Sequence, residues 1–129
     1  MKTYLQKHDK MSYSDHWSTP EVIYNHYVIK LGYHDPCPLY ENGFLFNFID
    51  KPIFLNPPYS DMTRWIEWVI DNFKRYHKPA TILIPARTDT KYFHRLLECK
   101  PDIEFIKGRL KFGGSKSSAP FPSLLVHLR

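Results

Sequence analysis

The stretch IFLNPPYSDM, residues 53–62, decides how this chain is read. Three apolar residues run into an asparagine, two consecutive prolines and a tyrosine, and Ser60–Asp61 then offers a helix start. A bend alone needs one proline or one glycine. Two adjacent prolines fix φ twice and push the residue before each out of the α region, so this turn is stiff. Stiffness suits the floor of a pocket.

Outward from that turn, the apolar spacing of Met62, Trp65, Ile66, Val69, Ile70 and Phe73 predicts a long helix over 60–78, with Ser60 or Asp61 as cap and Pro79 as stop. ATILI (80–84) is a strand without polar alternation, as expected when both faces are covered. A helix over 89–98 should bury Tyr92, Phe93, Leu96 and Leu97, and IEFIK (103–107) is a further strand. GRLKFGG (108–114) and PSLLVHLR (122–129) look like a closing antiparallel pair joined by the flexible GGSKSS. Upstream, Thr19 caps and Pro20 starts a helix that buries Val22, Ile23, Tyr27 and Leu31 and ends at Gly32. FLFNF (44–48) is a short strand candidate with edge character. Residues 1–18 show no period and are assigned to an N-terminal arm, with a single domain over 19–129. Alternating strands and helices give an α/β domain of three layers.

Composition narrows the classes. A chain of 129 residues that is 43% hydrophobic and 16% aromatic can bury a core, which separates it from disordered chains. No apolar run reaches the 18 or so residues of a membrane span, and the N-terminus lacks the apolar core of a signal peptide. Two cysteines cannot staple a secreted scaffold, so a reducing, cytoplasmic setting is expected. The seven histidines are scattered singly, without C-x-x-C or H-E-x-x-H spacing, so no metal is expected. The net charge is +5, and it is concentrated late: Lys107, Arg109, Lys111, Lys116 and Arg129 follow Glu104 with no acid among them. Such a patch suits a polyanion; a solubilising face is the bland alternative.

Ligands of open α/β sheets gather outside the carboxyl ends of the parallel strands. There Asn56 presents its carboxamide oxygen, Pro57 its carbonyl, and Tyr59 a flat ring. Two rigid acceptors beside an aromatic suit an exocyclic amine on a planar base. Accepting the amine's hydrogens favours a pyramidal nitrogen and stabilises the charge that develops on it. No strong base is required, because the nitrogen becomes acidic only after alkylation. A methyl donor bound next door would lie in line with the lone pair, and Tyr59 would hold a flipped base.

The segments DHWSTPEVI, DPCPL, IFLNPPYSDMTRWIEWV, LIPARTDTKYFH, FIKGRLKFGG and SAPFPSLLVHL occur in the order, and with the content, of the small phage-type DNA N-6-adenine methyltransferases. From about residue 15 to residue 128 the chain resembles that family. The resemblance implies a compact, Rossmann-like class I methyltransferase fold with a mostly parallel sheet and a C-terminal antiparallel hairpin. It implies methyl transfer from S-adenosylmethionine to N6 of adenine in double-stranded DNA. Asn56, Pro57, Pro58 and Tyr59 carry over as the catalytic quartet. Thr19, Pro20 and Asp35, with Asn56, carry over as donor contacts, and Trp17 is a candidate for packing on donor or base. Only 20 residues separate Asp35 from Asn56, without a glycine-rich loop, which leaves no room for another βα unit.

Several residues keep two readings. Asp35 before a proline is also an ordinary turn residue. Arg87 follows a strand end and can meet a phosphate or pair with Asp89, while Asp89 can simply cap its helix. Trp65 lies on the apolar stripe and belongs to the core. Lys107, Arg109, Lys111 and Lys116 are expected, with Arg87, to face DNA. The rival to an enzyme is a degenerate member of the same fold that binds DNA or a host protein without catalysis.

Overall fold

The structure is a computed structural model and describes residues 18–37, 47–112 and 118–129. Its centre is a four-stranded sheet in the order β1-β2-β4-β3, with β1 Ile53–Leu55, β2 Ala80–Pro85, β3 Asp102–Phe105 and β4 Ser123–Leu128. β1 and β2 are parallel, with Phe54 opposite Thr81. β4 runs antiparallel to β2, with Ile82 opposite Val126, and antiparallel to β3, with Ile103 opposite Val126. Three of the four strands therefore point the same way. On the outer side of β1, His34 makes a parallel bridge to Ile53. It donates from its amide to Pro52 O and accepts from the Phe54 amide.

Continuous apolar strands follow from burial on both faces. Ile53, Leu55, Ile82, Ile84, Leu124, Val126 and Leu128 pack on one side against Trp65, Ile66, Val69, Phe93 and Leu96. These come from α2 (Met62–Tyr76) and α3 (Lys91–Leu97). Phe54, Leu83 and Leu125 alternate to the other side, where Phe112, Ala119, Phe121, Ile23, Tyr27 and Val28 cover them. The result is three layers.

α2 begins after a single 3-10 turn, Tyr59–Asp61, and stops when His77 enters the left-handed region at φ 56 and donates to Phe73 O at 2.7 Å. On its outer flank Asn72 grips the backbone of Ile49 twice, at 2.7 and 2.9 Å, and the Trp68 indole donates to Asn47 O. These bonds dock the segment that leads into β1.

Several local expectations are corrected. The helix after Pro20 is one α-turn, α1 (Glu21–Tyr24), continued as a π-helix over Asn25–Lys30. It makes no side-chain cap with Thr19. Val22 is 82% exposed and Leu31 48%, while Ile23, Tyr27 and Val28 form the partly buried face that packs on the sheet. The antiparallel partner of β4 is Asp102–Phe105; residues 108–112 form no strand and instead lay Leu110 and Phe112 onto the second face. Thr90, not Asp89, caps α3 by accepting from the Phe93 amide, and Leu97 lies on the exposed side of that helix. Asp61 stands at the N-cap of α2 without a side-chain cap bond. Of the FLFNF strand candidate, 44–46 lie outside the described residues and Asn47 and Phe48 are not in a strand. The arm through Trp17, the GGSKS stretch 113–117 and Lys116 also lie outside the described residues.

Candidate active site

The turn after β1 fixes the site. Asn56, Pro57 and Pro58 are buried, and Pro58 is extended at φ −68, ψ 144. The Pro58 carbonyl accepts from the Asp61 amide at 3.2 Å, which ties the turn to the start of α2. The Pro57 carbonyl has no hydrogen-bond partner among the described residues. Asn56 is only 4% exposed, and its Nδ2 donates to Thr19 Oγ1 at 3.1 Å across 37 residues of sequence. The hydroxyl expected to cap a helix thus serves the asparagine.

Two neighbourhoods flank Asn56, one on each side of β1. Thr19 stands against the Asn56 carboxamide, and on the outer side of β1 Asp35 follows one residue past the His34 bridge. The Asp35 carboxylate accepts from the Cys37 amide at 3.0 Å. Burial pushes its carboxyl up to about 6, with that hydrogen bond pulling the other way.

On the β2 side a pocket of about 310 Å³ is lined by Tyr59, Met62, Pro85, Arg87, Thr90 and Tyr92. It lies beyond the carboxyl ends of β1 and β2, between the starts of α2 and α3. Its volume is at the lower end of the ~300–1,000 Å³ typical of ligand pockets, suited to one ring system rather than to base and donor together. Tyr59 meets Phe121 edge-on at 5.4 Å, and the Arg87 guanidinium lies over the same Phe121 ring at 5.6 Å. Burial raises the Tyr92 phenol above its ordinary value, opposed by a hydrogen bond to Thr90 and the Arg87 charge.

The remaining basic residues come from the far strand. β3 runs parallel to β1 and β2, so the segment after Phe105 emerges on the same rim as Asn56. There Ile106, Leu110 and Phe112 anchor on the core while Lys107, Arg109 and Lys111 point outward. Gly108 makes the turn between them at φ 74. Arg87 is exposed and engaged with Phe121 instead of being paired to Asp89.

The structure thus gathers Asn56, Pro57, Tyr59, Thr19, Asp35 and Arg87 at one rim. Sequence reasoning missed the pocket roles of Met62, Thr90 and Tyr92. A signal existed for Tyr92, which follows the strand end LIPARTD in the first turn of α3. None existed for the contact between Thr19 and Asn56. Among the described residues no helix is long and apolar enough to cross a membrane, and no group of His, Cys, Asp or Glu is placed to hold a metal ion.

A family model described as DNA N-6-adenine-methyltransferase (Dam) matches residues 6–123. No curated protein and no solved structure matches the chain. The match spans most of the sequence and agrees with a mostly parallel sheet flanked by helices, the class I Rossmann-like arrangement. The chain belongs to the DNA N-6-adenine-methyltransferase (Dam) family of S-adenosylmethionine-dependent enzymes.

Proposed function

We propose that Asn56 and the Pro57 carbonyl accept the two N6 hydrogens of an adenine flipped out of double-stranded DNA, with Tyr59 stacked on its ring. Thr19, Pro20 and Asp35 hold the donor on the other side of β1. What supports this reading is that the buried Asn56 carboxamide, bonded to Thr19, stands where β1 ends, three residues before Tyr59, which lines an aromatic pocket.

The adenine N6 lone pair is delocalised into the ring and is a weak nucleophile. Acceptors on both N–H bonds draw the nitrogen toward a pyramidal geometry, where the pair is localised and available. They also stabilise the positive charge that builds on N6, in a site shielded from water by Pro57, Pro58 and the Tyr59 ring. When bound, S-adenosylmethionine supplies an electrophilic methyl group on a sulfonium. The alkylated amine is acidic, so its surplus proton leaves without a dedicated strong base. Asp35 is ionised at neutral pH and matches the donor's ammonium; the Thr19 hydroxyl matches its carboxylate.

Lys107, Arg109 and Lys111 meet backbone phosphates beside the pocket, and Arg87 meets the strand nearest the flipped base. Both cysteines are free thiols, which supports a reducing compartment, the cytoplasm, as the place of action. A donor-dependent assay on mixed-sequence duplex DNA, with base-resolved product analysis, is expected to yield N6-methyladenine. Methylation of RNA or protein in place of duplex DNA would overturn the substrate reading. Absence of saturable donor binding at millimolar concentration would favour a DNA-binding protein without catalysis.

A further inference from the structure

An asparagine carboxamide has two ends of similar size and opposite character: the oxygen accepts, while the NH2 only donates. A target amine needs an acceptor on its hydrogens. An NH2 turned toward it would set donor against donor. Shape alone does not choose between the two orientations, because a half-turn of the amide changes little packing. A hydrogen-bond partner must choose.

Thr19 Oγ1 stands 3.1 Å from Asn56 Nδ2. Its backbone is set by Pro20, whose φ of −55 and ψ of 138 lead into α1 and whose carbonyl accepts from the Tyr24 amide at 3.0 Å. The helix start takes no side-chain cap, so the hydroxyl is committed to Asn56. We infer that Thr19 is a positioning residue that holds the Asn56 amide in its productive polarity, NH2 toward Thr19 and oxygen toward the adenine amine.

In this arrangement the Thr19 oxygen accepts, and its own proton has no acceptor among the described residues. On the proposed donor reading, on which this inference rests, the donor's carboxylate takes that proton. A hydroxyl that donates to the carboxylate is bound to accept from Asn56. Donor occupancy and the polarity of the catalytic amide are then coupled through one oxygen atom.

The direct test is side-chain amide NMR on the 15N-labelled chain, with and without the demethylated donor product. One Asn56 NH2 proton is expected to be protected from exchange in the wild type, more so with ligand. Protection should fall in Thr19→Val and be kept in Thr19→Ser. At saturating donor, Thr19→Val should lower kcat roughly three- to tenfold, the worth of one ordinary hydrogen bond, besides raising the donor KM; Thr19→Ser should stay near wild type. An active wild type whose Asn56 amide is unprotected overturns the inference alone. So does a folded Thr19→Val with wild-type kcat at saturating donor. A wild type that methylates no DNA overturns the functional reading and this inference with it. The wild-type amide measurement decides the matter even if Thr19→Val does not fold.

Discussion

Asn56 carries most of what can be tested at the scale of single residues. Replacing it with alanine removes a preorganised acceptor from the site, and kcat should fall on the order of 10²–10³-fold, measured by donor-dependent methylation at saturating DNA. Asp35 makes a prediction in pH. Its carboxyl is raised from 3.8 to about 6 in the folded chain. The folded state therefore holds more protons than the unfolded state between those values, and this group's contribution to stability is fully present below pH 4. It is lost as pH rises through 6. Asp35→Asn removes the penalty of an ionised buried acid and should stabilise the chain at pH 7 by up to about 3 kcal/mol, with no gain near pH 3. Urea melts at both pH values check the sign. The same substitution should weaken donor binding at pH 7, and wild-type donor affinity should decline as pH falls below about 6, read by calorimetry. The stiff turn at Asn56–Tyr59 was legible because proline chemistry is local. The bond between Thr19 and Asn56 was not, because threonine before proline is equally a helix cap, and only packing decides which acceptor role wins.

Among the elements, α2 is the one most completely specified by its own sequence. Its stripe through Trp65, Ile66, Val69 and Ile70 is buried as the spacing requires. Trp65→Ala should cost about 3–5 kcal/mol of stability, seen as a large drop in the urea midpoint. Its end is less obvious. Pro79 promises a stop, but the chain turns two residues earlier at His77, which sits at φ 56. Glycine carries no steric penalty there, so His77→Gly should stabilise the chain by about 0.5–1 kcal/mol. His77 lies at the end of α2 opposite the site, and methylation activity should be unchanged. α1 failed the same periodicity reading that succeeded for α2. One α-turn is too short for a 3.6-residue pattern to outweigh tertiary contacts; the wider winding over Asn25–Lys30 breaks that period before Leu31, and both Val22 and Leu31 are exposed. The β4 partner was misread for a related reason. LKF in 108–114 alternates as well as DIEF does, and local alternation does not reveal which segment reaches the sheet edge.

For the molecule as a whole, strand direction brings chemistry and charge to one rim. Because β3 parallels β1 and β2, Lys107, Arg109 and Lys111 emerge where Asn56 does. Replacing all three with alanine should weaken duplex binding at low salt and reduce the slope of log K against log salt by up to about 2.7, at ~0.9 per lost phosphate contact. Fluorescence anisotropy at several salt concentrations measures it; an unchanged slope would remove these residues from the interface. The sequence by itself determined the fold class, the apolar strands, the long helix and the rigid turn that offers two acceptors. Each is written in neighbouring residues, through proline's fixed φ and the periodicity of side chains. Only the tertiary structure decided which strand closes the sheet, that Thr19 serves Asn56, and that Tyr92 faces Tyr59's pocket. Those facts join residues tens of positions apart, and their energies exist only once the layers have packed.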